Sequence, residues 1–108
     1  MFTRLVECQP KAGKREELVD KVRSEVLAIL QKQPGFVDLI ALRDNTDEQR
    51  LVYLTFWNTR EDADNYHGNY YDRIVSMLKP LLSASPLVET FQVDDSTIHR
   101  IAASRAAA

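Results

Sequence analysis

The chain has 108 residues, of which 44% are hydrophobic and 28% charged; 14 Lys plus Arg against 16 Asp plus Glu give a net charge of −2. That length allows one domain with a thin core that a partner subunit would help. The charge balance excludes the basic footprint of a nucleic-acid binder and a polybasic membrane patch. A single cysteine, Cys8, excludes an internal disulfide and fits a reducing compartment.

The first residues, Met1-Phe2-Thr3-Arg4, carry a charge within four positions and lack the apolar core of a signal peptide. The longest apolar run, residues 51–57, is far too short for a membrane helix. A cytoplasmic location is expected.

Residues 2–9 read as a strand, with Phe2, Val6 and Cys8 on one face and Thr3, Leu5 and Glu7 on the other. Pro10 ends it, having no N–H to give to a ladder. From Lys14 to Gln33 the spacing predicts a helix. Its stripe is Leu18, Val22, Val26 and Ile29, widened by Val19, Leu27 and Leu30, with Glu16 and Glu17 in the first turn and Pro34-Gly35 as the stop. Phe36 to Arg43 is the second strand, a polar connection spans 44–48, and Arg50 to Trp57 is the third strand.

Thr59-Arg60-Glu61-Asp62 reads as a capping box, with Thr59 as N-cap and Asp62 reaching back. A short helix runs to His67. Gly68 suits a left-handed C-terminal position, and Asn69 suits the cap of a new helix carrying Tyr71, Ile74, Val75 and Leu78. Leu87 to Val93 is the fourth strand. The order βαββ(αα)β predicts an α+β, ferredoxin-like sandwich: a four-stranded antiparallel sheet with helices on one face. The domain spans residues 1–94. The tail, 95–108, is either a frayed terminus or an arm on a partner subunit.

The middle strands do not alternate as a sheet with one wet face should. In the second strand Val37, Leu39 and Ala41 are apolar, and so are Phe36, Ile40 and Leu42; in the third, Leu51, Tyr53 and Phe56 are apolar, and so are Val52 and Leu54. Helices cover one face only, so the other is expected to meet a second copy: a homodimer whose two sheets close into a shared barrel.

Searches for phosphate-loop, dinucleotide and metal-ligand spacings return nothing; no metal and no cofactor is expected. Cys8 reads as a small strand hydrophobe. Nucleic acid is not an expected partner, because the basic residues are scattered among acids without aromatic interleaving. What remains is a cluster after the third strand: Tyr53, Trp57, Tyr66, His67, Tyr70 and Tyr71, which holds all four tyrosines and the one tryptophan. Rings with polar tips suit a pocket for a flat aromatic ligand. The plainer reading stands beside it. A strand-end Trp57 is a core anchor, His67 beside Gly68 is a helix-end surface residue, and Tyr66 and Tyr71 are core residues with surface hydroxyls.

Several stretches together resemble a known family. They are the strand, loop and helix start Val6-Glu7-Cys8-Gln9-Pro10-Lys11-Ala12-Gly13-Lys14, then Pro34-Gly35-Phe36 and Leu42-Arg43-Asp44. Phe56-Trp57-Asn58-Thr59-Arg60-Glu61-Asp62-Ala63 follows with Tyr66-His67, and Leu78-Lys79-Pro80-Leu81-Leu82 and Val88-Glu89-Thr90-Phe91 complete the series. In order and spacing, over residues 2–94, these are similar to the antibiotic biosynthesis monooxygenase domain of the dimeric α+β barrel superfamily. The resemblance implies a ferredoxin-like homodimer and cofactor-free oxidation of aromatic compounds. Two departures separate this chain from subsets of that family. Quinol-oxidising relatives carry histidines at the position of Tyr66 and near Tyr71. Haem-degrading relatives carry a tryptophan at Tyr66, a histidine near Ser76 and an asparagine in the first strand, where this chain has Val6 or Glu7.

The expected activity is a cofactor-independent monooxygenase acting on a small phenol or hydroquinone. His67 is the candidate base, since histidine alone titrates near neutral pH unperturbed. Trp57 is a candidate N–H donor, and Tyr53, Tyr66 and Tyr71 are candidate substrate-binding residues. The alternatives are a small-metabolite isomerase or degradative enzyme, and a non-catalytic dimer that carries a small ligand. An inward-facing His67 beside a sizeable cavity favours the enzymes. A solvent-facing His67 and a cavity plugged by Tyr53 and Tyr71 favour the carrier.

Overall fold

The structure is a computed structural model that describes residues 1–99. Four strands, β1 (Phe2–Cys8), β2 (Phe36–Arg43), β3 (Leu51–Trp57) and β4 (Leu87–Gln92), form one antiparallel sheet in the order β2-β3-β1-β4. This is the expected ferredoxin-like arrangement, with the helices against one face. Two connections explain it: β2 and β3 form a hairpin, and each helical segment carries the chain across the sheet to a non-adjacent position.

The first helical segment differs from a plain α-helix. Arg15–Lys21 (α1) and Leu27–Gln31 (α2) flank a π-turn at Val22–Val26. The buried stripe is Leu18, Val22, Val26 and Leu30, stepping by four throughout; Leu30, expected at the edge of the stripe, is its last buried member, and Ile29, expected at its centre, is half-buried. A 3.6-residue period drifts back to Ile29, whereas the wider turn keeps every fourth residue facing the sheet. The second segment likewise has no break at Gly68. Arg60–Tyr66 (α3) runs through a π-turn at His67–Tyr71 into Asp72–Leu78 (α4), and Gly68 is not among the glycines with positive φ. The cap and restart expected at Gly68 and Asn69 are therefore replaced by a continuous rod.

The capping box is realised by half. Thr59 Oγ1 accepts the Asp62 N–H at 3.1 Å. Asp62 does not reach back; its side chain lies against the Cα of Gly35, which has φ +79°. A β-bulge between Phe36 and Asp38 corrects the alternation expected in β2. The extra residue moves Phe36 onto the face of Leu39 and Ala41, opposite Trp57, and leaves Ile40 and Leu42 on the other. In β3, Thr55 and Trp57 share the helix-facing side with Leu51 and Tyr53, while Phe56 joins Val52 and Leu54.

The core lies between sheet and helices and centres on Leu18 and Trp57, both fully buried. The opposite sheet face carries Leu5, Ile40, Leu42, Val52, Leu54, Phe56, Leu87 and Phe91 by register. Three of these are widely exposed: Leu42 at 46%, Leu87 at 62% and Phe91 at 47%. At one end of this face residues 96–99 turn back over β3. The His99 ring packs on Phe56 at 5.0 Å, its Nε2 is 3.6 Å from Asp38, and its backbone N–H is accepted by Ser96 Oγ at 3.1 Å. Residues 100–108 of the tail lie outside the described residues. Among the described residues no helix is long and apolar enough to cross a membrane.

Candidate functional site

The site begins with an arginine in a position the fold reserves for apolar side chains. Alternation along β1 puts Phe2, Arg4, Val6 and Cys8 toward the helices, and Arg4 is only 2% exposed. Among the described residues no carboxylate lies within ion-pair distance of its guanidinium. Its neighbours are rings. The guanidinium carbon is 4.8 Å from the Tyr71 ring centre and 5.2 Å from that of Tyr66, and Nη2 is 2.8 Å from His67 Nδ1. Burial pushes the Arg4 pKa down, opposed by attraction to Tyr66 and Tyr71 and by the more distant Asp64. A guanidinium stays charged and can only donate. The structure therefore holds a buried cation compensated by the Tyr66 and Tyr71 rings, by the Tyr66 hydroxyl and by one imidazole nitrogen.

The π-turn supplies the aromatic side of this cluster. His67 and Tyr71 are its first and last residues, and their rings stack at 4.7 Å and 20°. Tyr66, just before the turn, is buried and stacks on Trp57 at 5.0 Å. Because Arg4 donates to Nδ1, that nitrogen is the acceptor, and the network assigns the imidazole proton to Nε2.

The expected site residues divide between two spaces. An inner cavity of ≈ 50 Å³ between sheet and helices is bordered by Tyr53, Tyr66, Tyr71, Thr55 and Cys8. An outer cleft of ≈ 220 Å³ is bordered by Phe2, Arg4, Arg60, Asp64, His67 and Thr90. His67 is exposed and belongs to the outer cleft. Trp57 borders neither: it is fully buried behind Tyr66, and its indole N–H is donated to Thr55 Oγ1 at 3.0 Å. Thr55 in turn is tied down through its carbonyl, which accepts from Thr3 Oγ1 at 2.9 Å. Burial raises the Tyr53 and Tyr66 phenols to about 12 and also raises Tyr71. All three are neutral donors near neutral pH. Cys8 is likewise pushed up by burial to about 12 and is no thiolate there.

Arg4 is the residue the sequence reading missed. Among the described residues no three His, Cys, Asp or Glu side chains cluster as a metal site. The chemistry on offer is thus a cation and an imidazole at a small outer cleft, with neutral phenols behind them around the inner cavity.

The profile of the family described as antibiotic biosynthesis monooxygenase matches residues 1–71. The chain belongs to that family. Solved structures agree with the fold this membership implies. A cofactor-independent oxygenase from Streptomyces nogalater, SnoaB, superposes with a TM-score of 0.74 at 18% identity, covering 89% of this chain and 95% of that one. A protein of unknown function from Nitrosomonas europaea gives 0.75 at 15% identity, covering 89% and 91%. A protein from Mycobacterium tuberculosis gives 0.73 at 14%, covering 89% and 97%. At such identities the likeness is one of fold. No curated protein matches the chain significantly.

Proposed function

We propose that this member of the antibiotic biosynthesis monooxygenase family is a cofactor-independent monooxygenase of a small phenol- or hydroquinone-type substrate. The observation that carries the reading is Arg4: a buried cation without an ion-paired carboxylate, beside a histidine nitrogen, at the wall of a cleft that also presents Phe2, Arg60 and Asp64. Such an arrangement favours a ligand that brings or develops negative charge. The cleft is smaller than the ~300–1,000 Å³ of sites for drug-sized ligands, which suits a single ring.

The chemistry follows from the Arg4–His67 contact. A phenol O–H inserted between the two side chains gives its proton to Nδ1, while its oxygen accepts from Nη2. Insertion is what frees His67 to act as base, since in the unliganded chain Nδ1 is occupied by Arg4. The phenolate gives one electron to O2, and the radical and superoxide combine at ring carbon. The peroxide then collapses to a quinone: one oxygen atom stays on the ring and the other leaves as water, with its proton returned by His67. Phe2, Val88 and Thr90 wall the ring, Tyr66 and Tyr71 back the Arg4 guanidinium from the inner side, and Trp57 braces Tyr66 from behind. Arg4 takes the donor role expected of Trp57, whose N–H is engaged by Thr55.

The functional unit of this reading is a homodimer formed through the apolar sheet face, with residues 1–94 forming the domain. Oxygen uptake with a panel of hydroquinones and anthrones, without added flavin and with a chelator present, tests the activity. Turnover is expected, reduced roughly 100-fold or more by Arg4→Met or His67→Ala, the scale of lost acid–base and anion stabilisation. The second reading, a ligand-carrying dimer without turnover, is favoured by the exposure of His67 and by the inner cavity that Tyr53 and Tyr71 fill. Arg4-dependent binding of phenols with no oxygen consumed would select it.

A further inference from the structure

We propose that Tyr71 is a movable partition between the outer cleft and the inner cavity, and that it sets the length of the phenol the site accepts. This rests on the reading of the Arg4 cleft as the ligand site. Tyr71 borders the inner cavity and contacts two residues of the outer cleft: it stacks on His67 and faces the Arg4 guanidinium. The other ring between the two spaces is Tyr66, and it is fixed: it is 5% exposed, with Trp57 stacked behind it. Tyr71 is less constrained. It is half-buried, and among the described residues its hydroxyl makes no hydrogen bond. It also closes the π-turn, a backbone feature that recurs at functional sites.

The two spaces differ in chemistry as well as size. The cleft presents Arg4 and His67, whereas the inner cavity is bordered largely by apolar side chains such as Val26, Leu30, Ile74 and Leu78. A void of ≈ 50 Å³ is too small for a ring on its own. If the Tyr71 ring turns aside, the space it occupies joins cleft and cavity into one polar-to-apolar channel. The ligand class that fits is a phenol with an apolar extension: hydroxyl at Arg4, second ring in the cavity.

The test is binding, measured on the full chain with phenol and 2-naphthol as probes, without reference to turnover. Tyr71→Ala is expected to raise the ratio of naphthol to phenol affinity by about tenfold, the gain from burying one further ring edge. Tyr71→Phe should keep the wild-type ratio, because the hydroxyl has no partner to lose. Tyr71→Leu, which retains apolar packing, should fall between and serves if the alanine variant does not fold. An unchanged ratio in both Tyr71→Ala and Tyr71→Leu overturns the partition while leaving the cleft intact. Arg4→Met separates the two ideas: if it does not weaken either probe, or if neither binds the wild-type chain, the cleft reading and the partition fall together.

Discussion

Arg4 Nη2 and His67 Nδ1 lie 2.8 Å apart, joining the first strand to the π-turn of the second helical segment across 63 residues of chain. The contact has a direction. Arginine donates, so His67 accepts and points its own N–H away from the guanidinium. One hydrogen bond thus orients the imidazole and engages the buried cation.

Burying Arg4 is costly, and its neighbours offset only part of the cost. Removing an ion from water without an opposite charge costs several kcal/mol, while each cation–π contact returns about 0.5–2 kcal/mol. Arg4→Met keeps the length of the side chain and discards the charge. It is expected to leave stability unchanged or raise it by up to ~2 kcal/mol, seen as a melting temperature higher by several degrees. Phenol binding should collapse in the same protein. Arg4→Lys should not restore it, since an ammonium lacks the planar fork that bridges oxygen and imidazole. Destabilisation of Arg4→Met by more than about 2 kcal/mol would make the arginine a structural strut instead.

The uncovered sheet face makes a separate prediction. Phe91, at 47% exposure, stands on that face opposite Thr3 in the register. Light scattering should show a dimer for the wild-type chain. Phe91→Asp, a charge set into an apolar contact, should weaken it by roughly 2 kcal/mol or more and give monomer at micromolar concentration. Arg73→Ala, on the exposed side of α4, is the control and should stay dimeric. A wild-type monomer would leave the exposure of Leu42, Leu87 and Phe91 without a partner to explain it.

Most of the fold was legible because its signals are local. Alternation, proline and glycine stops and a threonine cap delimit each element within a few residues. What was not legible depends on one inserted residue. A bulge after Phe36 resets strand parity, and a π-turn moves the end of the stripe's centre line from Ile29 to Leu30, which the sequence places at the stripe's edge; neither changes composition or leaves a marker residue. The aromatic cluster was legible as a group, and the structure does bring Tyr53, Tyr66 and Tyr71 around one cavity. Arg4 was missed although its signal is present. The period that places Phe2, Val6 and Cys8 inward places Arg4 with them, and a charge in core register is the kind of local conflict that marks a functional site.

The β2–β3 connection predicts a response to acid. Asp44 Oδ1 accepts from the Thr46 N–H at 2.8 Å, the Thr46 hydroxyl at 2.9 Å and the Asp47 N–H at 3.1 Å, and Oδ2 pairs with Arg50 at 3.2 Å. Hydrogen bonds from Thr46, then Arg50 and Asp47, hold its pKa at about 2 against an ordinary 3.8. A carboxyl depressed on folding contributes stability that is fully present above its unfolded pKa and is lost as pH falls through the folded one. Asp44→Asn should therefore be less stable than wild type above pH 4. The gap should narrow as pH falls from 4 and close only below pH 2, where Asp44 is protonated in the folded chain as well. Urea unfolding across that range measures it, and NMR titration of the Asp44 carboxyl checks the cause. A gap that stays constant with pH would assign the effect to turn geometry instead.

Gly35 gives the sharpest structural prediction, because two independent constraints meet there. Its φ of +79° lies in the left-handed region, where a side chain costs about 1–2 kcal/mol. A Cβ built at Gly35 would also fall 2.6 Å from the Asp62 Cβ, with the Asp62 carboxylate closer still. The Gly35 carbonyl accepts the Asn58 N–H at 2.8 Å, so the segment cannot shift without releasing the end of β3. Gly35→Ala should accordingly lose more than the backbone strain alone, about 3 kcal/mol or more by chemical denaturation. Truncating the neighbour gives the discriminating control. Asp62→Ala removes the carboxylate and keeps the Cβ, so the double variant should recover only part of the loss. Recovery to the stability of Asp62→Ala alone would mean that the carboxylate was the whole obstacle and that the backbone at Gly35 tolerates a side chain.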